Sequence, residues 1–329
     1  MKYNIETLEN GVQLIHVDNE LNLKATLSSF GAGVYELSFK DKPVILELKE
    51  FSDYMHSSAF YGKTLGVVAG RLKKDGILEG EEYHLSPDGT FDFSLHGGKM
   101  DSISFKNWKV SVKESSKKLT VSFSIATKKN ENGFPGKARI NVVYEFLKGK
   151  DEMKMFQKAT TPSEATFVNL SNHMYFNFAN SKDISAYYLK MNCDKVATTD
   201  ETLLINGVKD IPEVLDFRKS SKLSPRLDKI EKHDFKKTID DTFLFDDKIG
   251  KVILKSPDVT LTLTTDYPAM NIYVDNTMSP LNFKNRDDFE MRRGIALEPQ
   301  RFVFDRESIT LRKNNKYRHY IDYKFKETK

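Results

Sequence analysis

Three short stretches of the chain carry side chains able to move a proton or hold a polar ligand. The first is Val168-Asn169-Leu170-Ser171-Asn172-His173-Met174-Tyr175-Phe176-Asn177, a histidine set among asparagines and aromatic rings. Imidazole is the side chain whose unperturbed pKa lets it give or take a proton near neutrality. Neighbouring amides are able to fix its tautomer, and rings to exclude water and stack on a ligand. The second stretch is Ser94-Leu95-His96-Gly97-Gly98, where a histidine reads as the end of a strand beside a glycine turn. The third runs Gly294-Ile295-Ala296-Leu297-Glu298-Pro299-Gln300. Its apolar lead-in reads as a buried strand, and a carboxylate there loses water, which raises its pKa and suits it to act as a base. Each of the three residues also has a purely structural reading when taken alone. We expect the fold to bring the three stretches together.

Two further stretches merit a test. Gly62-Lys63-Thr64-Leu65-Gly66-Val67-Val68-Ala69-Gly70-Arg71 combines glycines, which allow close backbone approach, with a guanidinium. It lacks the GxxxxGK[ST] order of a phosphate loop, and Arg71 alone reads equally as a surface ion-pair partner. His16-Val17-Asp18 has the H-x-D step that opens some two-histidine, one-carboxylate metal sites. Asp18-Asn19 also looks like the start of a turn, which makes a strand end the plainer reading.

The elements that must position these residues are strands. Leu119, Val121, Phe123 and Ile125 alternate with polar residues, as do Ile140, Val142, Tyr144 and Phe146, then Val259, Leu261 and Leu263. The final segment repeats the pattern with Tyr317, His319, Ile321, Tyr323 and Phe325. A period of two places one set of side chains on a buried sheet face and the other toward solvent. Turn residues such as Pro87-Asp88-Gly89, Asn132-Gly133 and Pro135-Gly136 break the runs. The pattern predicts an all-β chain of antiparallel sheets packed face to face. A turn or two of helix is expected within 213–226, and the charged stretch 219–237 reads as a long surface loop. With no repeat or low-complexity linker, residues 1–329 read as one domain.

Composition bounds the function. The 329 residues include 51 basic and 47 acidic side chains, a net charge of +4, with 39% hydrophobic and 12% aromatic content. That is a folded chain without the clustered basic face of a nucleic-acid binder. Pairs such as Lys73-Lys74 and Lys236-Lys237 read as solvated surface. One cysteine, Cys193, excludes an intrachain disulfide and fits a reducing compartment. The N-terminus reads as lacking a signal peptide, and no apolar run reaches membrane-spanning length. The expectation is a soluble cytoplasmic protein with no nucleic-acid or membrane partner; its oligomeric state is left open.

Taken in order, these stretches resemble the aldose 1-epimerase (galactose mutarotase) family over nearly the whole chain. The resemblance is carried by Gly66…Gly70-Arg71, Leu95-His96-Gly97-Gly98, Asn169 to Asn177, and Leu297-Glu298-Pro299-Gln300. Gly133-Phe134-Pro135-Gly136, Asp216-Phe217-Arg218, Asp240-Asp241-Thr242-Phe243 and Pro268 to Tyr273 give weaker support. It implies a large antiparallel β-sandwich of the galactose mutarotase-like type, no cofactor and no metal. It also implies interconversion of the α and β anomers of a free aldohexose such as glucose or galactose. By the resemblance Glu298 is the base at the C1 hydroxyl, His173 the acid at the ring oxygen, and His96 a hydrogen-bonding partner near that oxygen. Arg71, Asp240 and Asn271 would bind the sugar hydroxyls. In the working state Glu298 is then expected to be ionised and His173 able to donate a proton.

Three positions depart from the family pattern. Val67 stands where many members have arginine, Gly70 where many have asparagine, and Asp241 where histidine or asparagine often follows the binding aspartate. The departures at Val67 and Gly70 imply fewer polar contacts to the sugar and a broad preference. The competing readings are a sugar-phosphate 1-epimerase, which needs clustered cations, and a non-catalytic sugar-binding module, which does not need the acid–base pair. A metal oxygenase would use His96, His173 and Glu298 as a facial triad. A glycosidase is disfavoured because its usual second carboxylate has no evident candidate.

Overall fold

The computed structural model describes residues 1–234, 236–276, 281–284 and 291–329. Among them the strands form a nine-stranded, a six-stranded and a five-stranded sheet, with smaller two-stranded pairs. The segments with the clearest period-two pattern build the nine-stranded sheet. Lys118–Ala126 pairs with Arg139–Leu147, then Glu152–Thr160, Tyr317–Glu327 and Val259–Thr265 follow, all antiparallel. Leu119, Val121, Phe123, Ile140, Val142, Tyr144, Phe146, Leu261, Leu263, Ile321 and Tyr323 are all fully buried. Their alternating neighbours are exposed or half-buried, with Thr260 and Asp322 as buried exceptions.

The six-stranded sheet runs in the order Tyr175–Phe176, Ile295–Gln300, Ala269–Val274, Asp240–Phe245, Cys193–Thr199, Ile205–Asp210. One of its faces turns Phe176, Leu297, Ile272 and Phe243 into the same apolar cluster as the nine-stranded sheet. The Phe176 and Tyr323 rings meet across the gap, their centroids 6.1 Å apart. The N-terminal five-stranded sheet joins through Phe39, stacked on Phe325 at 6.1 Å. This is the antiparallel sandwich expected from the pattern, and it leaves the other face of the six-stranded sheet free to carry polar side chains.

Two local expectations need correction. The stretch 219–237 is not a loop: it holds the short strand Ser221–Lys222 and the helix Ser224–His233, while Phe235 lies outside the described residues. Leu223, Leu227 and Ile230, at i, i+4 and i+7, bury the helix against the core. The turn or two of helix expected between Glu213 and Arg226 is present as the 3-10 turn Glu213–Leu215 and the beginning of that helix. Lys236 is not solvated surface either, because its side chain is 9% exposed and its ammonium reaches Asp241 at 2.5 Å. His16-Val17-Asp18 is a strand end. His16 contacts Thr26 and Glu6, and Asp18 accepts the Glu20 N–H at 2.7 Å to open the turn. No helix among the described residues is long and apolar enough to cross a membrane.

Candidate active site

The polar face of the six-stranded sheet supplies the acidic side of the site. Asn271 stands directly opposite Glu298 in the register, and Thr242 opposite Asn271, so the three share one row across adjacent strands. Asp240 and Gln300 lie two residues from Thr242 and Glu298 along their strands, on the same face. Asn271 ties the row together: its amide nitrogen faces Glu298 Oε1 at 3.3 Å and Asp240 Oδ1 at 3.4 Å, while its oxygen accepts from Thr242 at 3.0 Å. The Arg71 guanidinium donates to Asp240 at 2.8 Å. Burial pushes the Asp240 carboxyl up, but Arg71, Lys236 and Asn271 more than cancel it and hold the group below its ordinary range.

The histidines come from loops lashed over this face. His96 follows the strand Phe93–Leu95, whose Leu95 pairs with Arg71. It adopts a left-handed backbone (φ 48°) and is locked to Gly70 both ways. Its N–H donates to the Gly70 carbonyl at 3.0 Å, and the Gly70 N–H donates to His96 Nδ1 at 3.1 Å. A ring nitrogen that accepts carries no proton, so neutral His96 has its N–H on Nε2, as a donor. Gly97 must be glycine, since a Cβ there would lie 2.3 Å from the Gly66 carbonyl. His173 is fixed by backbone bonds, its N–H to the Lys63 carbonyl and its carbonyl from the Gly62 N–H. Its ring packs against Tyr175 at 4.8 Å, Phe60 at 6.1 Å and Tyr273 at 6.4 Å. The asparagines around His173 do not touch the imidazole: Asn172 and Asn177 spend their amides on backbone groups. Asn169 instead joins the sequence stretches. It exchanges backbone bonds with Val67 and Ala69, and its side chain bonds both backbone groups of Arg301.

His173 Nε2 and Glu298 Oε1 lie 3.4 Å apart with both side chains enclosed. Burial, reinforced by the Asp240 charge, pushes Glu298 up to about 8, against the lowering effect of Asn271 and Arg71. Burial pulls His173 down to about 4. His96 is likewise lowered, by burial first and then by the charges of His173 and Arg71. The expected assignment of an ionised Glu298 beside a protonated His173 is therefore reversed by burial. Near neutrality the pair holds one proton, and burial favours it on the carboxyl.

The three groups open into a cavity of about 420 Å³, also lined by Phe60, Gly70, Arg71, Asp240, Asp241, Asn271, Tyr273 and Gln300. All six residues singled out from the sequence, Glu298, His173, His96, Arg71, Asp240 and Asn271, line it together. Val67 does not, because it is packed in the main core. Its side chain takes no part in the cavity lining, so the polar loss expected at Val67 does not fall on the pocket wall. Asp241 does line the cavity, but Lys236 neutralises it from behind. Phe60, Tyr273 and Gln300 were not singled out. Phe60 sits in an irregular loop with no pattern to mark it, whereas Gln300 is legible from its two-residue spacing from Glu298. Past Arg71, Ile205 and Val303 an outer groove of about 510 Å³ continues, bordered by Lys73, Asn206, Phe304 and Arg306.

His96, His173 and Glu298 present ligand atoms within 4.8 Å of one another, close enough to hold a cation. The nitrogens behind them speak against it. His96 Nδ1 accepts the Gly70 N–H, which puts a proton rather than a lone pair on Nε2. His173 Nδ1 has no acceptor among the described residues, whereas a metal-bound histidine almost always donates through its second nitrogen.

Comparison with known proteins agrees with this geometry. The aldose 1-epimerase family model matches residues 13–324. The galactose mutarotase of Rattus norvegicus is 28% identical over 326 residues, covering 92% of this chain and 91% of its own. An aldose 1-epimerase of Haemophilus influenzae is 26% identical over 306 residues, covering 88% and 86%. A galactose 1-epimerase structure from Lactobacillus acidophilus superimposes over 100% of both chains with a TM-score of 0.88 at 23% identity. With the match of the family model over nearly its full length, the chain belongs to the aldose 1-epimerase family.

Proposed function

We propose that the protein is an aldose 1-epimerase, an isomerase that interconverts the α and β anomers of a free aldohexose by opening and closing its ring. The observation that carries this reading is the enclosed His173–Glu298 pair, 3.4 Å apart, with His96 beside it in a sugar-sized cavity. Ring opening removes the proton from O1 and protonates O5. Both oxygens are bonded to C1, so base and acid must be near neighbours, as these two side chains are. With the pair's single proton on His173, Glu298 takes the O1 proton while His173 Nε2–H protonates O5. The C1–O5 bond breaks and the C1=O1 carbonyl forms. Rotation about C1–C2 presents the other carbonyl face. Glu298 then returns its proton to O1 and His173 takes the O5 proton back. His96, a neutral Nε2–H donor, stabilises the oxygen that gains charge. Arg71 and Asp240 hold hydroxyls, and Asn271, whose amide is committed to the two carboxylates, positions Glu298.

Within the inner cavity the cationic side chain among the described lining residues is Arg71, already paired with Asp240. That supports a neutral sugar over a phosphorylated one. Polarimetry of fresh α-D-glucose and α-D-galactose tests the reading. The protein accelerates approach to anomeric equilibrium, and Glu298→Gln lowers kcat by roughly 10²–10⁴-fold, the usual share of a positioned acid or base. Near-normal kcat in the folded variant would leave a sugar-binding module as the better account. Turnover of a hexose 6-phosphate but not of free hexose would move the substrate to the sugar phosphates.

A further inference from the structure

Gln300 is a polar side chain that neither the fold nor the proton transfer uses. It is 2% exposed, lines the cavity, and its Oε1 is enclosed without a hydrogen-bond partner among the described residues. Buried amide oxygens are rarely left in that condition unless something else binds them. The neighbours explain why nothing among the described residues does. Ala269 faces it on the adjoining strand. On the loop side stands Gly70, where a Cβ would lie 3.5 Å from Oε1 and 3.9 Å from the amide nitrogen. Both are residues without a polar side chain, so the amide oxygen is walled in but unspent among the described residues.

Gln300 also sits at a defined place relative to the chemistry. It follows Glu298 by two residues on the same strand face, about 7 Å along the sheet. With the anomeric carbon at Glu298, the amide meets hydroxyls on the far side of the ring. We propose that Gln300 is a specificity-determining residue of this site, accepting a hydrogen bond from a sugar hydroxyl remote from C1. The absence of a side chain at Gly70 leaves its amide free to do so. This rests on the epimerase reading for the identity of the ligand as a hexose, while the amide's lack of a partner is independent of it.

A site built around a buried acceptor rejects an analogue that lacks the matching hydroxyl, because the acceptor is then left unpaired. The test uses the full chain with D-glucose and its 3-deoxy, 4-deoxy and 6-deoxy analogues. Anomer exchange is followed by polarimetry and affinity by calorimetry. Wild type disfavours one of the three analogues by about tenfold, the worth of one neutral hydrogen bond. Gln300→Leu raises KM for glucose by a similar factor with a smaller change in kcat, and treats that analogue and glucose alike. Gly70→Asn is the second variant. Asparagine tolerates the left-handed backbone at this position (φ 82°) and places its own amide against Gln300, so it blunts the same discrimination without disturbing the core. An unchanged KM in folded Gln300→Leu, or an equal loss for glucose and all three analogues, overturns the inference. Absence of anomer exchange by wild type refutes the epimerase reading instead, and calorimetry then still decides the role of Gln300. If no sugar binds, both fall.

Discussion

Replacing Glu298 by glutamine is expected to stabilise the folded protein, and to do so only as the pH rises. Glu298 is held at about 8 in the fold against an ordinary value of 4.5, chiefly by burial. Between those two values the unfolded chain has already released the proton that the folded chain keeps. The folded state therefore binds more protons, and stability falls as pH increases. The loss begins near pH 4.5 and is complete just above pH 8. At about 1.4 kcal/mol per unit the shift corresponds to on the order of 5 kcal/mol. Glutamine keeps the size of the side chain and an oxygen for the Asn271 amide, but it has no charge to desolvate. Near pH 4.5 the two proteins should melt within about a degree of each other; near pH 9 the variant should melt roughly 5–10 °C higher. His173 acts in the opposite sense. Its folded value of about 4 lies below its ordinary 6.5, so its penalty appears as pH falls through that window, equally in both proteins. Paired calorimetric scans at pH 4.5, 7 and 9 measure the difference. A constant gap across the three, or a wild type that is the more stable at pH 9, would show that the carboxyl is not held in its neutral form by burial.

The pH profile of kcat/KM should be a bell with a broad plateau from about 4 to about 8. The acidic limb marks the second proton entering the pair, largely on His173, and the basic limb marks loss of its last proton, largely from Glu298. A basic limb near 6 instead would return that titration to His173. Prolonged chelator treatment should leave the rate of anomer exchange unchanged, because proton transfer between side chains and substrate supplies the whole reaction; activity lost to chelator and restored by a divalent cation would make His96, His173 and Glu298 metal ligands.

The fold was legible because the long strands bury a strict alternation of large apolar residues, and a shift of one residue would turn every one of them outward. The helix Ser224–His233 was hidden by its charge. Lysines and acids fill its outer faces, and only Leu223, Leu227 and Ile230 mark the inner one. The site was legible where chemistry demands a rare residue in an apolar setting, as at His173 and Glu298. It was not legible where a common residue matters through position. Phe60 gains its place against both histidines from a left-handed backbone in a loop, and Lys236 from its position just before the strand Asp240–Phe245, where its ammonium reaches Asp241. The asparagines around His173 matter through the backbone and not through the imidazole tautomer that their sequence position suggests. They hold the backbone that presents the ring, not the ring itself.

The electrostatics of the pocket connect its stability to its chemistry. Arg71 is paired with Asp240 and Lys236 with Asp241, so the fixed charges largely cancel. Behind His173 lies a buried cation, Lys63, pulled down to about 7 by burial; its charge disfavours an imidazolium further. The ammonium donates to the Tyr54 carbonyl and rests 4.5 Å from the Tyr54 and Phe105 rings. Every local influence that wins at Glu298 and His173 thus favours the neutral pair over the ionised one. In the proposed reaction the ionised pair belongs to the closed ring, and the neutral pair to the moment when O1 has lost its proton and O5 has gained one. The enclosure that makes Glu298 costly to the fold at high pH therefore makes the ionised pair a state that must be reached from the neutral resting pair, and it returns that cost as the proton moves back onto Glu298 in the open-chain complex. Only interactions stronger along the reaction path than in the ground state accelerate a reaction. The preference for the neutral pair is present in the resting site as well as in the open-chain complex, so the acceleration has to come from contacts that strengthen as charge moves at O1 and O5, such as the His96 Nε2–H.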